Sequence, residues 1–159
     1  VTTREFIVIA AWHLFDNPAL RERFLTGGEA EQGTVLLEIL RLEPIAAFLY
    51  RREAASGGEI YALCSHQVNS DPAVVGECPF ALDPDRAGKV KVRGEFLSFG
   101  DGIHHCPGWQ VALHETRVFV DALMRVPGIR LHRAPDIGWS DMLQSYELRR
   151  AVVHCDQLA

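Results

Sequence analysis

FGDGIHHCPG, residues 99–108, surrounds one thiol with backbone that can bend sharply. Gly100 and Gly102 permit tight turns, because a residue without Cβ enters left-handed conformations at little cost. Pro107 has no N–H and a fixed φ, so it suits the first position of a helix. Cys106 then stands at or just before a helix N-terminus. Unpaired N–H groups and the positive end of the helix dipole favour an anion there, which makes a thiolate accessible. Gly108 lets backbone or a flat ligand come close, and Phe99 can cover one side of the sulfur. The stretch describes a protected, electron-rich thiolate that faces a cavity.

Several uses of such a cysteine remain open on these residues alone. A nucleophile needs a base, and His104 and His105 are at hand, although chain neighbours seldom point at one another. Zinc needs about four ligands. His104, His105 and Cys106 are too close along the chain to share one tetrahedral ion, and no second ligand pair stands at zinc spacing. A thiolate ligand to haem iron needs a single cysteine. The plain structural alternative is a buried cysteine in a helix cap.

Moving outward, PGWQVALHETRVFVDALMRV reads as a strong helix that starts at Pro107. Ala112, Thr116, Phe119, Leu123 and Val126 recur on one face at three- and four-residue steps. Pro127-Gly128 ends it, and IRLHR and YELRRAVVHC follow as strands. SDMLQSYELRR suggests a pocket-facing hairpin. Upstream, TREFIVIAAWHLFDNP predicts a helix that is apolar nearly all round and hence deeply buried. Asn17 can cap the next helix with Pro18 at its first position. TGGEAEQG reads as a loop, and TVLLEILRLE as a third helix with Thr34 as its cap and Pro44 at its end. IAAFLYRRE, EIYALCS and KVKVRG read as strands between Gly and Asp-Pro turns. The predicted class is mainly α with small β-sheets (α+β), not a doubly wound sheet.

The 159 residues, 48% hydrophobic and 23% charged, are enough for a packed core. A net charge of −5 with no basic stripe argues against a nucleic-acid partner. No apolar run approaches the ~20 residues of a membrane helix, and no signal peptide opens the chain. Cys64, Cys78, Cys106 and Cys155 have no framework spacing, so they read as reduced thiols of a cytoplasmic protein. Cys64, in the apolar run IYALCS, reads as a core residue. The chain opens on Val1-Thr2-Thr3 without methionine and reads as cut from something longer.

FGDGIHHCPG resembles the haem-binding signature of cytochrome P-450 enzymes, with Phe99, Gly102, His104, Cys106 and Gly108 at the constrained positions. The family's E-x-x-R is matched by EILR, with Glu38 and Arg41 three apart on one helix face. Without the resemblance these two would pass for a solvated surface pair worth ~0.3–0.5 kcal/mol. PFALDPDRA resembles the segment that supplies a third partner, here Arg86, and VNSDP resembles a turn of the bacterial members. TTREF resembles the second half of the helix over the oxygen side.

The resemblance implies a C-terminal part of the P-450 fold over residues 1–159, an incomplete domain of the soluble bacterial type without its N-terminal part. It implies haem b (iron protoporphyrin IX) with Cys106 as proximal ligand. His104 and Arg51 would serve the propionates, with Arg52 the competitor of Arg51 and His105 a structural or surface residue. Thr2 would relay protons on the oxygen side, although Val1 departs from the acid expected before it, and Thr3 would pack the helix. The implied reaction inserts one oxygen atom from O₂ into a small organic substrate, with electrons from a ferredoxin-type donor. The missing N-terminal part, or a second chain, would complete the fold; neither nucleic acid nor membrane is a partner. The alternatives are a truncated, non-catalytic haem-binding or structural module and, from the residues alone, a cysteine hydrolase.

Overall fold

Four helices enclose the core of the computed structural model, which describes residues 2–53, 58–141 and 144–156. Helix α1 (Thr2–Asp16) packs against α2 (Pro18–Thr26), α3 (Glu29–Leu42) and, across the chain, the later helix α7 (Trp109–Met124). Phe6, Leu14, Phe24, Leu36, Ile39 and Val120 are fully or nearly fully buried between them. Asn17 caps α2 as its sequence predicts, with its side-chain oxygen accepting from the Leu20 N–H at 3.0 Å. Val1, which departs from the acid that the resemblance expects there, lies outside the described residues.

Among the described residues, three two-stranded antiparallel sheets accompany this bundle. β1 (Phe48–Arg52) pairs with β2 (Ile60–Cys64), from Phe48 opposite Cys64 to Arg52 opposite Ile60. β3 (Arg130–Arg133) pairs with β6 (Val152–His154), and β4 (Asp136–Ser140) with β5 (Ser145–Arg149). The short helices α4 (Ser65–Asn69), α5 (Pro72–Val75) and α6 (Arg86–Val90) lie along the meander between β2 and the cysteine loop. Among the described residues no helix is long and apolar enough to cross a membrane.

Several sequence expectations are corrected. The TGGEAEQG loop shrinks to Gly27-Gly28, because α3 already starts at Glu29, where Glu29 and Glu31 favour the positive end of the dipole. Thr34 is therefore inside α3 rather than its cap, and its hydroxyl donates to the Glu31 carbonyl at 2.8 Å. KVKVRG is no strand. Its first residues complete α6, which Arg86 anchors at the start, and Lys91 reverses the chain at φ 56°. YELRRAVVHC splits into β5 and β6 at Arg150, φ 61°, and DIGWS adds the strand β4 that pairs with β5. Cys64 is half-buried at the end of β2, not in the core. On α7 the inner stripe is Thr116, Val120 and Met124, whereas Phe119 is 53% exposed. Two apolar stripes compete on that helix, and packing on α1 and α3 selects the one a single residue away.

The Glu38–Arg41 pair is not a surface pair. Glu38 is 3% exposed, Arg41 0% and Arg86 4%. Arg41 grips the Glu38 carboxylate with two parallel hydrogen bonds of 2.8 Å, and Arg86 Nε donates to Glu38 Oε1 at 3.2 Å. The remaining guanidinium protons go to backbone carbonyls of the meander. Arg41 reaches Asn69 at 2.8 Å and Pro79 at 2.9 Å, and Arg86 reaches Val75 at 2.9 Å and Ala81 at 2.8 Å. The irregular chain from 69 to 86 is thus tied to α3 by two arginines.

Removing one member of a buried, hydrogen-bonded ion cluster leaves an uncompensated charge, which costs about 3–5 kcal/mol. Arg41→Ala should therefore lower the thermal midpoint by roughly 10 °C at ~2–4 °C per kcal/mol for a chain of this size. Arg23→Ala, which breaks exposed pairs with Glu31 and Asp85, should cost less than about 1 kcal/mol; equal losses in a denaturation series would refute the contrast.

A pH effect follows from His13 near the end of α1. Burial lowers its pKa, against the opposing pull of Glu43 and Asp16. The unfolded chain therefore takes up this proton more readily than the folded one. Stability from His13 is complete above the unfolded value of about 6.5 and is lost as pH falls through the lower folded value. Thermal midpoints measured from pH 7.5 to 5 should fall less steeply in His13→Gln than in the parent.

Candidate functional site

The cysteine loop starts where the arginine cluster ends. Asn69, 1% exposed, is the link. Its side-chain oxygen accepts from the Leu97 N–H at 2.9 Å, and its amide donates to Ser98 Oγ at 2.9 Å and to the Arg41 carbonyl at 3.3 Å. Ser98 Oγ donates in turn to the Leu40 carbonyl at 3.1 Å. Phe96, just before, lies 5.7 Å from the Arg41 guanidinium and takes φ 48°. A bulky side chain avoids that region, so the surrounding contacts hold the backbone there. The sequence signals only the VNSDP turn; the bridge that Asn69 makes from α3 to the loop arises only in the folded chain.

From Phe99 the loop winds back on itself. Gly100 has φ 74° and Gly102 φ 64°, as their predicted turns require. A Cβ at Gly100 would meet the His104 carbonyl oxygen at 3.3 Å, so the two strands of the loop nearly touch there. Residues Gly102–His104 form one 3-10 turn. The Cys106 N–H then donates to the Phe99 carbonyl at 2.8 Å, closing the loop on its first residue.

Cys106 is half-buried. Helix α7 begins at Trp109 with Gly108 as N-cap, so Pro107 precedes the helix instead of opening it. No side chain caps that end. Cys106 still sits against it, and its carbonyl accepts from the Trp109 N–H at 3.4 Å. Trp109 lies 6.3 Å from the Phe99 ring and 5.9 Å from His105, ring centre to ring centre. Phe99 also packs against the core cluster. An added Cβ at Gly102 or Gly108 would meet nothing within 4 Å, so open space borders the loop.

The other expected site residues take these places. His104 is exposed beside Ile103, which is 96% exposed at the loop tip. His105 is half-buried against Trp109 and near Glu95. Arg51 is on β1, its guanidinium donating to the Tyr50 carbonyl at 2.9 Å, and Arg52 donates to the Gly58 carbonyl at 2.8 Å. Thr2 is the exposed first residue of α1, and Thr3 is half-buried beside it.

Among the described residues no three His, Cys, Asp or Glu side chains gather as a metal-holding cluster. The donor set at Cys106 is one thiol with open space alongside, which fits a group that takes one protein ligand and spreads over a flat face. The loop thus fits a haem on the chemistry of its donor and on the room beside its glycines.

No family model matches the chain. It is 30% identical over 115 residues to a protein of Xylella fastidiosa (strain 9a5c) named "Putative cytochrome P-450 133B2", a match covering 66% of this chain and 27% of the relative. It is 32% identical over 89 residues to "Putative cytochrome P-450 133B1" of the same strain, covering 55% of this chain and 21% of that one. The chain thus spans about a quarter of the curated relatives it matches. The crystal structure of CalO2 superposes with TM-score 0.77 at 22% identity, over 98% of this chain and 40% of that one. That of P450BioI, in complex with hexadec-9Z-enoic acid ligated acyl carrier protein, superposes with TM-score 0.79 at 23% identity, over 98% and 41%. The latched cysteine loop, the buried Glu-Arg-Arg cluster, the fold and the sequence similarity agree: the chain resembles the cytochrome P-450 family.

Proposed function

We propose that residues 1–159 form the C-terminal, haem-ligating portion of a soluble, cytoplasmic, bacterial-type monooxygenase. One observation carries this reading. Cys106 is a half-buried thiol on a loop latched at both ends, with an uncapped helix terminus behind it and open space beside Gly108. Haem b is the group that uses one thiolate ligand and a flat opening.

The chain's own residues divide the work. Cys106 supplies the thiolate. Its N–H donates to the Phe99 carbonyl and its carbonyl accepts from the Trp109 N–H, and these bonds hold its backbone. Phe99 shields the thiol from water by packing between the core and Trp109. Gly102 and Gly108 keep side-chain bulk away from the opening. His104 and Arg51 provide cationic or donor groups for carboxylates at the edge of the cofactor. Thr2 offers a hydroxyl at the start of α1 for moving protons on the oxygen side. When bound, thiolate-ligated haem supplies the oxygen-activating chemistry by which one atom of O₂ enters a small organic substrate. A ferredoxin-type protein is the proposed electron donor, and an N-terminal part or second chain the proposed complement.

A specific observation also favours the second reading, an interaction module without turnover. Val111 is 60% and Val118 48% exposed on the outer face of α7, next to Phe119. Such apolar surface suits a covering partner.

The absorption spectrum of the protein, oxidised and then reduced under carbon monoxide, separates the readings. The expected result is a strongly red-shifted Soret band that Cys106→Ala loses. An absence of any haem band, even after added haem, would leave the module reading in front.

A further inference from the structure

Glu95 is a buried carboxylate for which the proposed function has no use. It is 7% exposed, four residues ahead of Phe99. Burying a charge is costly unless partners compensate it, and an apolar residue would pack the same space more cheaply. The partners of Glu95 all belong to the cysteine loop and its approach. Oε1 lies 3.6 Å from Arg93 Nε, two residues before it, and 3.7 Å from His105 Nε2, next to Cys106. Arg93 also donates to Asp101 Oδ1 at 2.6 Å. One carboxylate therefore serves the entry of the loop, its exit and, through Arg93, its tip.

His105 Nε2 is itself buried and has no hydrogen-bond partner among the described residues, so the nearby Glu95 carboxylate is what its polar edge faces. The imidazole ring is held edge-on against Trp109, the first residue of α7. Moving Glu95 away would leave that nitrogen without compensation and free the ring to leave Trp109. The residue carried along is Cys106.

We propose that Glu95 is a positioning residue that fixes the Cys106 sulfur through His105, using Arg93 and Asp101 to hold the tip of the loop. Its importance for function rests on the reading of Cys106 as the ligating thiol, but its geometry does not.

The test uses the whole chain with Cys64, Cys78 and Cys155 changed to Ser, so that one thiol remains. The rate of Cys106 alkylation by iodoacetamide is read at fixed pH, without haem. Glu95→Ala should raise it roughly five- to tenfold by local opening of the loop, and Glu95→Asp should restore part of the protection. In a His105→Phe background the same Glu95→Ala change should add nothing, because its effect runs through His105. Rates within twofold of the parent in a folded Glu95→Ala, or independent effects that multiply in the double variant, would overturn the proposal. Where Glu95→Ala does not fold, His105→Phe alone decides, since an unchanged rate there also overturns it. The haem spectrum of the same parent keeps the two ideas apart. Coupled rates without a haem band sink the haem reading alone. A thiolate-ligated haem band with unchanged rates sinks the positioning role alone.

Discussion

The rest of the structure depends on one carboxylate, Glu38, held away from water between two arginines. A charge in that position is tolerable only when each of its lone pairs is met. Arg41 meets it with both arms of its fork and Arg86 with one, while the Asp83 N–H adds a bond of 3.0 Å. Two guanidiniums against one carboxylate leave one positive charge in surplus. That surplus is spread over the carbonyl oxygens of Asn69, Val75, Cys78, Pro79 and Ala81. A segment with little helix or strand of its own thus gains a fixed course, because its carbonyls are what solvates the buried cations. Charge-assisted hydrogen bonds of this kind are stronger and more directional than neutral ones.

The constraint passes from charge to thiol by short steps. Asn69 belongs to the first group, through its carbonyl on Arg41, and to the cysteine loop, through Leu97 and Ser98. Phe96 keeps its unusual backbone against the Arg41 face. Beyond Phe99 the chain is fastened to itself by the Cys106–Phe99 backbone bond and to α7 by Trp109. A loop with such fastenings can present a sulfur without a regular element beneath it.

Much of this was legible before any coordinates. The α1, α2 and β1–β2 segments announce themselves by an apolar run, by Asn17-Pro18 and by the Gly and Asp-Pro turns between them, since their own side chains decide them. The Glu38, Arg41 and Arg86 cluster was legible only as a pattern of the family, because E-x-x-R on a helix looks the same when solvated. What misled was local chemistry overruled from a distance. KVKVRG alternates like a strand, yet among the described residues no strand pairs with it, and its first two residues complete the helix turn that Arg86 begins. Thr34 looks like a cap, but the dipole preference of Glu29 and Glu31 starts α3 five residues earlier. Phe119 shares a stripe with Thr116 and Leu123, but the neighbouring stripe through Val120 reaches α1 first.

Residue types and spacings set the chemistry on offer: one cysteine between turn-forming glycines and a helix, one carboxylate and two guanidiniums at family spacing, and an overall mainly helical class. These are properties of residue type and separation, which the chain carries unfolded. Folding settles which charges lose water and which backbone atoms compensate them. The roles of Asn69 and Glu95 follow from that, because Asn69 reaches 28 positions along the chain in each direction and Glu95 reaches His105 beyond the cysteine loop. Burial is a property of neighbours in space, and no local pattern encodes it.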